Sequence, residues 1–211
     1  MATGMSIAGR GLARRFGPRW ALAGLDVDIA PGELIGLTGP NGSGKSTLLR
    51  LLATALRADA GWLKLDGQDA WGERSELRPA IALASHATGL WDDLSAAENL
   101  GVWARMSGVA PDVIAQLRRV GLDPDRRDPI RTFSAGMKRR LALARLFLRR
   151  PRLALLDEPS TALDVNGRFL VRGLIEELIS SGTTVVVATH HREELDGASV
   201  RWMALQDGRA A

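Results

Sequence analysis

The segment Gly39-Pro40-Asn41-Gly42-Ser43-Gly44-Lys45-Ser46 has the spacing G-x-x-x-x-G-K-[ST], and these residue types suit the holding of a phosphate chain. Glycines let the backbone curl until successive N–H groups point inward as an anion nest. A helix opening at Lys45 adds its N-terminal partial positive charge. Lys45 is expected to reach the β- and γ-phosphates and the Ser46 hydroxyl to face Mg²⁺, with Thr47 completing the nucleotide-binding set. Each charge-assisted hydrogen bond contributes about 1.5–3 kcal/mol, so several together support micromolar binding.

A second segment supplies acid. Leu153-Ala154-Leu155-Leu156-Asp157-Glu158 reads as a buried strand closing on two carboxylates, and the carboxyl ends of strands are where α/β proteins place ligands. Asp157 is expected to meet Mg²⁺, directly or at one remove. Glu158 is placed to take a proton from an attacking water as general base. The alternative is that both acids only cap the turn at Pro159.

These groups need a scaffold. The apolar run Leu34–Leu37 precedes the glycine loop, and leucines at helical spacing follow it. Residues 5–33 carry short alternating stretches, with Ala21–Ala30 reading as a strand before the turn Pro31-Gly32-Glu33. Trp62–Gly67 reads as another strand and turn. Residues 90–150 are expected to be helical throughout. Ser95 is a cap there with Glu98 at capping-box spacing, and further helices are expected over Pro111–Gly121 and Ser134–Arg150. After Pro151 come strand, helix (Gly167–Gly182) and strand (Thr183–His190), an order that implies a parallel sheet covered by helices. The expected fold class is α/β, with a helical block inserted between two pieces of the core.

The whole chain sets bounds. Its 211 residues make one domain large enough for a real core. Of 28 basic residues only Lys45, Lys64 and Lys138 are lysines, and the formal charge is +4. That surface is read first as solvated, then as a contact for an acidic membrane or partner, with nucleic acid not among the expected partners. There is no cysteine, so disulfides and thiolate metal sites are excluded. The N-terminal stretch has no apolar leader core, and no run approaches the roughly 18 apolar residues of a membrane span. The expected location is the cytoplasm, with any membrane role exercised by docking.

The segment 133-FSAGMKRRLALAR-145 resembles the signature of ABC-type ATPases, commonly LSGGQ followed by a basic helix. It departs at Phe133, Ala135 and Met137 and keeps Ser134 and Gly136. A hydroxyl and a bare backbone at a helix N-terminus make another phosphate-binding surface. The resemblance implies the P-loop core, an N-terminal antiparallel β subdomain and an inserted helical subdomain. Residues 1–86 and 151–211 would form the core and 87–150 the helical part of a single nucleotide-binding domain. It also implies ATP and Mg²⁺ as cofactors and pairing with a second nucleotide-binding domain, homodimeric or otherwise. There Ser134, Ala135 and Gly136 would face the γ-phosphate held by the mate. Ser160–Asp164 resembles the D-loop, with Asp164 near the dimer seam. Val185–His190 resembles the switch-histidine strand, and His190 rather than His191 is the expected γ-phosphate and water contact. Phe16 lies at a fitting distance before Lys45 to stack on adenine, with Trp20 as its competitor.

The family usually places glutamine at the hinge into the helical block, at a set distance before a Glu-Asn pair. Here the pair is Glu98-Asn99 and the hinge position is His86. Either His86 replaces the glutamine as a Mg²⁺ or water contact, or the hinge has lost that role. The hinge SHATG, the signature SAGMKRR and the short C-terminus resemble the ATP-binding subunit of the haem exporter in cytochrome c maturation. Other small exporter ATPases, for drugs, polysaccharides or lipids, remain the alternative, with a non-transport ABC ATPase after them. The resemblance implies integral membrane permease subunits as partners and a peripheral place on the cytoplasmic face of the inner or plasma membrane.

Overall fold

The computed structural model describes residues 4–86, 88–110 and 112–211. The chain opens with two long strands, β1 (Ile7–Phe16) and β2 (Arg19–Ile29), then runs into β3 (Leu34–Thr38) and helix α1 (Lys45–Leu52). Strands β4 (Ala60–Leu65) and β5 (Gln68–Asp69), the single turn α2 (Arg74–Leu77) and β6 (Ile81–Ala84) follow. Three helices come next: α3 (Ala96–Met106), α4 (Val113–Arg119) and α5 (Ala135–Ala144). Last are β7 (Leu153–Asp157), α6 (Val165–Ser180), β8 (Thr184–Ala188), β9 (Val200–Gln206) and β10 (Arg209–Ala210).

The strands form two sheets. An antiparallel one has the order β2-β1-β4-β5, and the other runs β10-β9-β3-β8-β7-β6. In the second sheet β9, β3, β8, β7 and β6 are parallel, with β10 antiparallel at the edge. Its register brings the useful ends together. Leu37 and Asp157 both lie beside Ala188, so β3, β8 and β7 finish at one level. The loops that follow them start at that level: Gly39 onward, Thr189-His190, and Glu158.

Side-chain alternation along these strands divides the core in two. Leu34, Ala154, Leu156, Val185 and Val187 face a layer built with Leu100 of α3, Leu141 and Leu143 of α5, and Val171 and Leu174 of α6. Ile35, Leu37, Leu153, Leu155, Val186 and Ala188 face the other way, onto the leucines of α1 and the inner face of the antiparallel sheet. Each fully buried leucine contributes about 1.5–3 kcal/mol, so both layers are firmly held to the central sheet. Gly36 has its own reason: a Cβ there would lie 2.3 Å from the ring of Trp202 on the neighbouring strand.

The helical block follows its local signals. Ser95 accepts the Glu98 N–H, and the Glu98 carboxylate accepts the Ser95 N–H at 2.8 Å, completing the capping box. The block is not helical throughout, however. From Gly121 to Ser134 the chain is loop with a 3₁₀ turn at Ile130–Thr132, and α5 gives way to 3₁₀ geometry at Arg145–Phe147. Pro124 and Pro129 lack N–H donors, and the Asp123 side chain accepts the Asp125 N–H, so the segment turns instead of coiling. Ala87, where the helical block was expected to begin, lies outside the described residues. Among the described residues no helix is long and apolar enough to cross a membrane.

Candidate functional site

The glycine loop curls because its residues permit it. Gly39, Gly42 and Gly44 have φ of 141°, 80° and 110°, values that L side chains rarely adopt. Space demands glycine as well. A Cβ on Gly39 would lie 2.1 Å from the Leu205 carbonyl oxygen, and one on Gly44 would lie 2.4 Å from that of Ala21. Gly44 also caps α1 without any side-chain partner, which leaves the positive end of that helix open. Lys45 is buried, and its Nζ donates to the carbonyls of Gly39 at 2.7 Å and Pro40 at 3.1 Å. The Pro40 carbonyl also accepts the Ser43 N–H, and the Ser43 hydroxyl is buried without a hydrogen-bond partner among the described residues.

A cavity of about 310 Å³ opens over this loop. Asn41, Gly42, Gly44, Lys45, Ser46 and Thr47 line it from one side, Asp157 and Glu158 from the other, and Arg19 and Ala21 close it. A larger cavity of about 520 Å³ lies elsewhere, among Arg119, Arg149 and Arg152. Those arginines are already bonded to Glu177, to backbone carbonyls and to Asp66. The chemistry therefore belongs to the smaller cavity.

The acids sit where the strand ends place them. Asp157 is buried, and Glu158 takes the left-handed backbone region at φ 50° while its N–H donates to the Ala188 carbonyl at 2.8 Å. His190 Nε2 lies 3.1 Å from Glu158 Oε1 and 3.2 Å from Asn41 Oδ1. His191 turns away, with Nδ1 3.1 Å from Glu193 Oε1. The Ser46 hydroxyl and the Asp157 carboxylate line one cavity, a hard-oxygen pair that suits Mg²⁺ completing its shell from phosphates and water. Among the described residues no group of three metal-ligating side chains forms a separate cage.

Strand pairing separates the two aromatic candidates. Phe16 stands opposite Arg19, and Trp20 opposite Arg15. Opposed residues of antiparallel strands share a face, so Phe16 shares the face of Arg19, which lines the cavity. Trp20 lies on the other face, with the Arg15 guanidinium 5.9 Å from its ring. Phe16 is half exposed, and the Arg14 guanidinium lies 5.1 Å from its ring.

The signature segment is not part of this cavity. Ser134 and Ala135 are exposed at the start of α5, where the Ser134 hydroxyl accepts the Met137 N–H at 3.2 Å. A Cβ on Gly136 would sit 3.1 Å from the Ala162 carbonyl, so the glycine allows the segment 160–164 to pack on α5. Asp164 caps α6 through the Gly167 N–H and pairs with Arg140 at 3.4 Å. His86 is exposed and lines a separate cleft with Ala135, Lys138, Thr161 and Ala162 rather than the P-loop cavity.

Two residues stand out that sequence reasoning left unassigned. Arg19 closes the cavity, and no signal in the sequence marks it. Arg139, one of the paired arginines, is buried and donates to four backbone carbonyls, those of Asp157, Glu158, Pro159 and Ser85. Burial pulls its pKa down from the ordinary arginine value, against the attraction of Asp157 and Glu158.

The chain is 39% identical over 198 residues to a cytochrome c biogenesis ATP-binding export protein of Bradyrhizobium diazoefficiens, covering 93% of this chain and 98% of that protein. It is 37% identical over 206 residues to a daunorubicin resistance ATP-binding protein of Streptomyces coeruleorubidus, covering 94% of this chain but only 65% of that longer protein. A dimeric structure of the bacterial ABC transporter cassette MJ0796 superposes with a TM-score of 0.87 at 25% identity, over 97% of this chain and 96% of that one. The family model described as ABC transporter matches residues 22–161. The chain belongs to the ABC transporter family, as one of its ATPase cassettes.

Proposed function

We propose that this ATPase powers an exporter and that it works as one of a pair of nucleotide-binding domains. The observation that carries the reading is the meeting of the glycine cradle, Asp157, Glu158 and His190 at the carboxyl ends of β3, β7 and β8, while Ser134 and Ala135 remain exposed. In this reading the backbone of Gly39–Gly44, with Lys45 and Thr47, holds the phosphates of ATP. Ser46 and Asp157 would hold Mg²⁺, which would neutralise part of the phosphate charge. Glu158 takes the proton of the attacking water, and His190 keeps that carboxylate and the γ-phosphate in register. Phe16 offers its exposed ring to adenine. The exposed tip Ser134-Ala135-Gly136 supplies hydroxyl and backbone groups to the nucleotide of the mate, with Asp164 near the seam. His86, in its cleft beside the signature helix, serves the hinge between core and helical block.

The cargo assigned is haem, for the maturation of c-type cytochromes, with permease subunits in the inner membrane and this chain on their cytoplasmic side. Likeness to the cytochrome c biogenesis export proteins over nearly the whole chain supports it, as do the histidine hinge and the Ser-Ala-Gly signature. A second reading, drug export, has support from the daunorubicin resistance relatives. Purifying the chain from native membranes and identifying its companions decides between them. Haem-maturation subunits, and loss of c-type cytochromes when the chain is deleted, are the expected result. Drug-permease partners with normal cytochromes overturn the haem assignment.

A further inference from the structure

Helix α5 does two things at its first two turns. Its tip, Ser134-Ala135, faces outward, and Arg139, one turn further in, is 5% exposed. The guanidinium makes four hydrogen bonds, and every acceptor is a backbone carbonyl. Nε donates to Pro159 at 3.0 Å, Nη2 to Asp157 at 2.6 Å and Glu158 at 2.7 Å, and Nη1 to Ser85 at 2.7 Å. Three of those carbonyls are consecutive and belong to the loop that carries Glu158. The fourth precedes the hinge residue His86.

Glu158 has a strained backbone in that loop, at φ 50°, as does Ala162 further along at φ 65°. A non-glycine residue there costs about 1–3 kcal/mol and persists only where its surroundings over-determine it. The Glu158 N–H is fixed by the Ala188 carbonyl of β8, and its C=O by Arg139 at 2.7 Å together with the Thr161 N–H at 3.1 Å. The planar fork of a guanidinium fixes the direction of several acceptors at once, which a single ammonium cannot do. A buried arginine serving only stability is satisfied by any set of acceptors; this one holds both flanks of one acid and the edge of the hinge.

We infer that Arg139 is a positioning residue for ATP hydrolysis, which makes the placement of Glu158 depend on the position of the signature helix that carries Arg139. A shift of the α5 tip, such as contact with a neighbouring phosphate would impose, is passed through the guanidinium to the Glu158 loop and to Ser85. The inference rests on the proposed reading of Glu158 as general base.

The test compares the full chain with Arg139→Gln, Arg139→Lys and Glu158→Gln in steady-state ATPase assays, thermal melts and fluorescent-nucleotide binding. Arg139→Gln should lose at least about tenfold in kcat while KM for MgATP stays within about twofold, the split of an interaction that matters beyond ground-state binding. Arg139→Lys should recover part of that loss, because one ammonium reaches only some of the carbonyls. Parental kcat in Arg139→Gln, with Glu158→Gln inactive, overturns the role of Arg139 and leaves Glu158 standing. Loss in Arg139→Gln with an active Glu158→Gln removes Glu158 as base and, with it, the acid that Arg139 is said to place. If neither arginine variant folds and binds nucleotide, Arg139 is a folding residue and the inference fails.

Discussion

A single ring nitrogen, Nε2 of His190, lies within hydrogen-bond distance of both Glu158 Oε1 and Asn41 Oδ1, and so joins the phosphate loop to the acid at the end of β7. Both neighbours are acceptors, so Nε2 carries the proton and donates. The imidazole thereby steadies the Glu158 side chain.

Removing the charge of Glu158 while keeping its shape tests its role. Glu158→Gln is expected to slow turnover by about 10²–10⁴, with ATP still bound and the paired cassettes held closed. Phosphate release and light scattering in the presence of ATP read both effects. Turnover within a few-fold of the parent would falsify the assignment of Glu158 as base.

Lys45 holds the loop shut from inside through the carbonyls of Gly39 and Pro40. Lys45 also lines the cavity over the loop. Lys45→Ala should weaken ATP binding by about 10- to 100-fold, the worth of one charge-assisted hydrogen bond. A fluorescent-nucleotide titration measures this. A variant that melts earlier yet binds ATP as tightly as the parent would reduce Lys45 to a structural staple.

Gly44 meets β2 closely, against the Ala21 backbone and the Leu22 side chain. With φ of 110° and only 2.4 Å from a built Cβ to the Ala21 carbonyl, Gly44→Ala must strain the loop or push β2 away. We expect a loss of about 1–3 kcal/mol and a weaker grip on ATP, read by denaturant melts and titration. Unchanged stability would mean that the loop relaxes around the methyl group without cost.

Much of the site is legible in the chain because its signals are local. The glycine spacing, the strand Leu153–Asp157 and the capping pair Ser95-Glu98 each act within a few residues, and the structure places them accordingly. What escapes is non-local. Nothing in the sequence places β7 beside β8 rather than beside β3, yet that order sets Glu158 next to His190. The choice between Phe16 and Trp20 turns on hairpin register, and an irregularity between Arg14 and Arg15 shifts that register. Arg139 is invisible for the same reason, since its partners are backbone carbonyls far along the chain and any residue type supplies one. The expectation of helix throughout residues 90–150 fails from Gly121 to Ser134, where Asp123-Pro124 and Asp128-Pro129 carry turn chemistry.

Glu194 gives a test that is independent of nucleotide. It is buried in the turn after β8, where Thr189 Oγ1 donates to its Oε2 at 3.2 Å and its Oε1 has no partner among the described residues. Burial pushes its pKa up, against the Thr189 hydrogen bond and the nearby Ser160 hydroxyl and His191. An acid with a raised folded pKa lends stability below its unfolded value, about 4.3, and loses that stability as pH rises through the folded value. Glu194→Gln keeps the shape and an acceptor while removing the charge. The variant should therefore gain on the parent as pH rises from acid to alkaline, with the two closest at the acid end. Thermal melts across that range check the sign, and a gap of constant size at every pH would mean that the buried carboxylate carries no charge cost.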